Sequence, residues 1–164
     1  MRHSALLRSG TGLERPGAVR DVAQHEIPTA PAADEDRGNA ARLDHFVVRN
    51  GVRCAGAHLI IDIYDGERLD EIEHIEHTLR RCIDAAGATL LHIHLHHFQP
   101  NGVSGVAVLA ESHISIHTWP EAGYAALDVF MCGEAVPEAC VPILREAFSA
   151  KRVAVSELLR GQGV

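Results

Sequence analysis

The densest group of chemically capable side chains lies in residues 110–121, AESHISIHTWPE, where carboxylates, hydroxyls, imidazoles and an indole alternate with apolar residues. This alternation predicts a β-strand, which directs successive side chains to opposite faces of its sheet. Ser112 and His117 therefore lie on opposite faces, and the G-x-S-x-G turn of many serine hydrolases is missing. From the residue types alone, the segment is either a polar-faced strand or an active site of another kind.

A row of histidines lies on a second alternating segment, TLLHIHLHHF, at residues 89–98. The pattern predicts two faces, one with Leu91, Ile93 and Leu95 and the other with His92, His94 and His96. The H-x-H-x-H spacing invites a zinc site, but imidazoles about 7 Å apart in a flat row are not tetrahedral, and further ligands are not obvious. We therefore expect no metal, and we place the row at a sheet-to-sheet or subunit interface.

Charge and hydropathy narrow the class of ligand. The chain of 164 residues has 15 basic and 22 acidic side chains, and residues 44–164 carry the whole formal net charge of −7. This balance argues against nucleic acid as a partner and suits a cationic small molecule. No apolar run approaches the ~18 residues that cross a bilayer, so we expect no membrane segment.

The cysteines indicate the compartment. Their positions, Cys54, Cys82, Cys132 and Cys140, include no C-x-x-C pair, and no apolar secretory segment follows Met1. The sequence therefore predicts free thiols in a reducing cytoplasm.

Regular structure is predicted only from residue 44 onward. Residues 1–43 mix Gly, Pro, Ala and both charges without an apolar period, so we expect a disordered N-terminal extension. In the domain of residues 44–164, Asn50-Gly51 predicts a hairpin and the spacing over 69–86 an amphipathic helix. Two helices and about six strands indicate an α+β fold, with the helices covering one face of an antiparallel sheet.

The string GVSGVAVLAESHISIHTWPEAGYAALDVFMCG, residues 102–133, resembles the signature of the prokaryotic S-adenosylmethionine decarboxylases, small pyruvoyl-dependent enzymes that cut their own backbone. The likeness extends from about Gly56 to Gly161 and includes GAHLIIDIY and AKRVAVSELLRG. It implies a two-layer α/β protomer whose sheets pair in an α/β/β/α homodimer. The implied activity is decarboxylation of S-adenosylmethionine to the aminopropyl donor of spermidine biosynthesis.

Within this resemblance, Ser112 matches the serine that becomes the pyruvoyl group. Cleavage between Glu111 and Ser112 would leave a β chain of residues 1–111 and an α chain of residues 112–164. The hydroxyl attacks the preceding carbonyl, the amide becomes an ester, and elimination leaves dehydroalanine, which water hydrolyses to pyruvoyl and ammonia. The resulting ketone would form a Schiff base with the substrate and accept electrons as CO2 leaves, so that neither PLP nor a metal is required.

The resemblance assigns further residues. His117 and Ser104 match residues that assist the self-cleavage, the first by moving protons near neutral pH. Cys132 matches the proton donor to the carbanion that decarboxylation leaves, a role that suits a thiol with an ordinary pKa of ~8.5.

For substrate binding, Phe98 and Trp119 would offer aromatic surface to the adenine and the sulfonium, and Glu121 would accept hydrogen bonds from the ribose hydroxyls. The chain departs from many members of the family at Ala57, Ala122 and Met131. A pyruvoyl-dependent arginine or ornithine decarboxylase is therefore an alternative. A non-catalytic, histidine-rich metal-binding or regulatory dimer is an alternative of another class.

Overall fold

The computed structural model describes residues 45–49 and 51–164, so the predicted disordered extension over residues 1–43 lies outside the described residues. A short hairpin comes first, with strands β1 (Val47–Arg49) and β2 (Val52–Cys54) paired antiparallel. Gly51 in its turn has φ +77°, the left-handed conformation that the Asn-Gly pair predicts.

A six-stranded sheet follows the hairpin. Its strands are β3 (Gly56–Tyr64), β4 (Leu90–His97), β5 (Val103–Leu109), β6 (Ser112–Trp119), β7 (Tyr124–Met131) and β8 (Arg152–Arg160). Their order across the sheet is β4-β5-β6-β7-β3-β8, and every neighbouring pair is antiparallel. β4 and β8 are the edge strands, and β3, the first of the six in sequence, lies between β7 and β8 through long-range pairing.

Two helices, α1 (Ile72–Ala86) and α2 (Cys140–Ala147), pack on one face of the sheet. The predicted amphipathic helix is confirmed, and it ends at Gly87, whose φ of +71° lets the chain turn away. α2 is preceded by a 3₁₀ turn, Pro137–Ala139, where a proline needs no backbone donor. The α+β prediction, with helices on one face of an antiparallel sheet, is confirmed.

The opposite face of the sheet carries no helix in the described part of the chain. Apolar side chains on it are partly open to solvent: Ile60 is 38% exposed, Val106 36%, Val108 41% and Leu158 47%. We call this surface the open face.

None of the described helices is long and apolar enough to cross a membrane.

The prediction that Leu91 shares a face with Ile93 and Leu95 is wrong. The pairing of β4 with β5 shifts between Leu90 and His92, and this irregularity breaks the alternation. Leu90 therefore packs on the core in place of Leu91, which is 64% exposed.

Candidate active site

The turn between β5 and β6 holds the predicted cleavage site. Leu109 pairs with Ser112, so only Ala110 and Glu111 form the turn. Glu111 has φ +64°, a conformation that costs a non-glycine residue about 1–2 kcal/mol. The Ala110 N–H donates to the Thr89 carbonyl at 2.9 Å, which ties the turn to the chain that enters β4.

Ser112 begins β6 with a side chain that is 9% exposed. Its Oγ accepts a hydrogen bond of 3.2 Å from the N–H of Cys132, which follows β7. The bond orients the hydroxyl oxygen while leaving its proton free for transfer. Ser112, Glu111 and Cys132 line one cavity of about 190 Å³.

The Cys132 thiol is kept neutral by its surroundings. Burial raises its pKa above the ordinary value, and the negative charge of Glu111 raises the pKa further. The other three cysteines are buried, and all four are free thiols, as the sequence predicts. Cys132 is thus the partly accessible thiol, and it retains its proton at neutral pH.

A second group of predicted residues lies on the open face. Ser104 on β5 and His117 on β6 are direct register partners, and the serine Oγ lies 2.7 Å from the imidazole Nδ1. Ser112 and Thr118, in contrast, point to the helix-covered side. The sequence-based prediction that Ser112 and His117 occupy opposite faces of β6 is confirmed.

Aromatic rings extend this second group. The centroid of Trp119 lies 6.3 Å from that of His117 and 5.3 Å from that of Tyr124. The Tyr124 hydroxyl donates to an Asp62 carboxylate oxygen at 2.6 Å, which raises the pKa of Tyr124 to about 12. Trp119 remains 43% exposed, so its face is available to a ligand.

Phe98 and Glu121 lie at the margins of the open face. Phe98 is 47% exposed and contacts the His96 ring at 4.7 Å between centroids. Glu121 is exposed in the 3₁₀ turn Pro120–Ala122, directly after Trp119. The structure therefore places Phe98 and Trp119 along the open face, and Glu121 in the turn that follows the end of β6.

The histidine row also lies on this face, where His92, His94 and His96 are exposed. Within residues 45–49 and 51–164, no three His, Cys, Asp or Glu side chains are grouped closely enough to hold a metal ion.

Asp70 positions the loop that follows Phe98, and the sequence offered no signal for this role. Its carboxylate accepts a 2.6 Å hydrogen bond from the Gly102 N–H and lies 3.0 Å from the His97 Nε2. The Gly102 bond, followed by His97, lowers the pKa of Asp70. A second bond, from the Phe98 N–H to the Gly102 carbonyl at 2.7 Å, closes the loop.

The fold and site define a two-layer α+β protein in which a buried serine begins a strand beside a partly buried thiol. Residues 57–161 match the family model described as S-adenosylmethionine decarboxylase. The chain belongs to this family.

Curated relatives carry the same description. The S-adenosylmethionine decarboxylase proenzyme of Thermomicrobium roseum is 45% identical over 112 residues, which cover 67% of this chain and 97% of that protein. The proenzyme of Methanococcus vannielii is 49% identical over 109 residues, covering 65% and 89%. The crystal structure of the adenosylmethionine decarboxylase from Aquifex aeolicus VF5 superposes with a TM-score of 0.60 at 34% identity, covering 66% of this chain and 92% of that one.

The charge of Glu111 should be measurable in the reactivity of Cys132. Only the thiolate reacts with iodoacetamide, so a raised pKa slows alkylation at pH 8 relative to free cysteine. We expect Glu111→Gln to speed alkylation about two- to fivefold, because removing the nearby negative charge lowers the pKa of the thiol. The rate is measured by mass spectrometry in chains that also carry Ser112→Ala, which we expect to prevent the predicted cleavage between residues 111 and 112.

Glu134→Gln is the matched control, because Glu134 lines the same cavity. It should change the alkylation rate much less than Glu111→Gln does. Equal effects of the two substitutions would contradict a specific influence of Glu111 on the thiol.

Proposed function

We propose that this protein is a self-processing, pyruvoyl-dependent S-adenosylmethionine decarboxylase that acts as a homodimer. The observation that carries the proposal is the geometry at residues 111–112: a left-handed glutamate precedes a buried serine whose oxygen is oriented by the Cys132 N–H. The proenzyme descriptions of the bacterial and archaeal relatives support both the activity and its self-processing.

Backbone cleavage is favoured by this local geometry. The left-handed φ of Glu111 strains the turn, and breaking the 111–112 bond frees the residue from it. Ser112 is the residue whose hydroxyl would attack the Glu111 carbonyl, with the chain divided into residues 1–111 and 112–164. We assign His117 to proton transfer in this step and Ser104 to hydrogen bonding with the developing oxyanion or ester, supported by their 2.7 Å contact.

A pyruvoyl group derived from Ser112 would supply a carbonyl that withdraws electrons during decarboxylation. The surroundings of Ser112 fit such a group, since residue 112 lines a cavity of about 190 Å³ that Cys132 shares. Cys132 would hold a proton on its Sγ and release it to the substrate carbon, a role supported by its raised pKa. The proposed reaction would require no metal, because the pyruvoyl carbonyl itself would accept the electrons.

The substrate is proposed to bind on the open face. Trp119 presents an aromatic surface that attracts a cation, and Phe98 is similarly exposed. Glu121 can accept hydrogen bonds from a pair of hydroxyls. A substrate with an aromatic base, a sulfonium and a ribose can contact all three side chains. Arginine and ornithine have no ribose, so they would leave Glu121 without its hydroxyl partners. The descriptions of the relatives also favour S-adenosylmethionine.

Cleavage is tested by intact-mass measurement. We expect the purified protein to contain residues 1–111 and 112–164 as separate chains, the second reducible by borohydride at its new terminus. Ser112→Ala should remain whole, because it lacks the attacking hydroxyl. Ser115→Ala is the control, since Ser115 lies on the same strand but bonds to Asp128 at 2.9 Å on the open face; it should still be cut. Cutting of Ser112→Ala at the same bond would refute the assignment.

Decarboxylation is tested by release of CO2 from S-adenosylmethionine, arginine and ornithine. We expect turnover of S-adenosylmethionine alone. Cys132→Ala should still be cut but should turn over about 10²–10⁴ times more slowly, the usual effect of losing a proton donor. Release of CO2 from arginine or ornithine at a comparable rate would favour the alternative substrates.

A homodimer is supported by the separation of the two groups of site residues. Ser112 and His117 are five residues apart on β6, about 16 Å along a strand, so the His117 of one chain is distant from its own cleavage site. The open face bears exposed apolar residues of the kind that sheets bury against one another. A two-fold pairing of open faces would allow one chain to complete the site of its partner.

Mixed dimers test this arrangement. Alone, Ser112→Ala has no attacking hydroxyl and His117→Ala no proton-transfer group, so we expect both to stay whole. Co-expressed with distinguishable tags, the His117→Ala chain should be cut, because its Ser112 would meet the intact His117 of the other chain. Mass spectrometry identifies the tag on each fragment. A mixed dimer that stays whole, while the wild-type chain is cut, would contradict completion of the site by the partner.

A further inference from the structure

A hairpin outside the family match lies against the proposed cleavage site. β1 and β2 precede residues 57–161, and the chain that enters β1 brings His45 to the turn between β5 and β6. The His45 Nδ1 contacts a carboxylate oxygen of Glu111. His45 also lines the cavity that holds Ser112 and Cys132.

The backbone of His45 is fixed independently of its side chain. Its carbonyl accepts a 2.7 Å hydrogen bond from the N–H of Gly133, the residue after Cys132. Further along the hairpin, Arg49 forms a 2.9 Å ion pair with Glu138, next to the start of α2. The imidazole is therefore presented to Glu111 from an anchored segment, so its position does not depend on the contact that it makes.

The contact between His45 and Glu111 lies where negative charge develops during self-cleavage. Attack by Ser112 places negative charge on the Glu111 carbonyl oxygen, and the side-chain carboxylate of Glu111 belongs to the same residue. A second negative charge nearby raises the energy of the oxyanion. The imidazole paired with the carboxylate draws part of this charge away from the oxyanion, and the pairing also restrains the left-handed turn.

We propose that His45 is a positioning residue for self-cleavage, which pairs with the Glu111 carboxylate and thereby accelerates cutting of the 111–112 bond. The role deepens the proposed function and rests on it. His45 acts through Glu111 and supplies neither the nucleophile nor the proton that the bond cleavage consumes. The reaction therefore proceeds without it, but more slowly.

The test measures the rate at which freshly synthesised full-length chain is converted to the two fragments. Intact-mass spectrometry follows the conversion over time. Both side chains of the pair are about half exposed, 49% for His45 and 46% for Glu111. We therefore expect His45→Ala to slow cutting about fivefold, the upper range for an exposed pair. His45→Arg, whose guanidinium can pair with the Glu111 carboxylate, should recover most of the rate.

Two comparisons separate this role from a merely structural one. In a Glu111→Gln chain, which lacks the carboxylate, adding His45→Ala should change the rate less than twofold, because the two effects are coupled. Val48→Ala, on the same hairpin but 68% exposed, should cut at the wild-type rate.

The outcomes distinguish this inference from the proposed function. If wild type and His45→Ala are cut at equal rates, or if His45→Ala slows cutting equally with and without the Glu111 carboxylate, the role of His45 is wrong while self-processing stands. If the wild-type chain is never cut, the proposed function fails and the role of His45 fails with it.

Discussion

The register of β5 against β6 is the constraint on which the site depends. With Leu109 opposite Ser112, the chain has two residues in which to reverse, and the second of them takes a left-handed conformation. The same register points the Ser112 side chain toward the helix-covered side, where the Cys132 N–H reaches it. A slip of one residue would turn Ser112 to the open face and separate it from Cys132.

The proposed chemistry uses both faces of the sheet. On the helix-covered side, burial keeps the Cys132 thiol protonated and the Cys132 N–H orients the Ser112 hydroxyl, as the proposed proton donation and cleavage require. The open face would supply His117 and Ser104 for cleavage, and the exposed rings of Trp119 and Phe98 for the proposed substrate. Because β6 passes through the middle of the sheet, one strand contributes to both functions.

Polar residues at the ends of elements hold the parts of the site in place. Asp70, just before α1, fixes the loop after β4 by bonding to Gly102, and so positions Phe98 at the edge of the open face. His45 acts in the same manner at the other end of the site, where it contacts Glu111. Neither residue lies in the signature segment 102–133, since the positioning contacts are made by chain that is distant in sequence.

Local periodicity alone determined much of this protein: the amphipathic helix, the Asn-Gly hairpin, the opposite faces of Ser112 and His117, and the α+β class. Such features depend on neighbours a few residues apart, whose spacing is visible in the chain. The tertiary structure decided which strands pair, that Leu91 turns outward at an irregularity, and that Cys132 and His45 meet the turn before β6. The contacts of Cys132 with Ser112 and of His45 with Glu111 join residues 20 or more positions apart, and they exist only because the packing of the sheet and helices selects one pairing among many that the same local patterns allow.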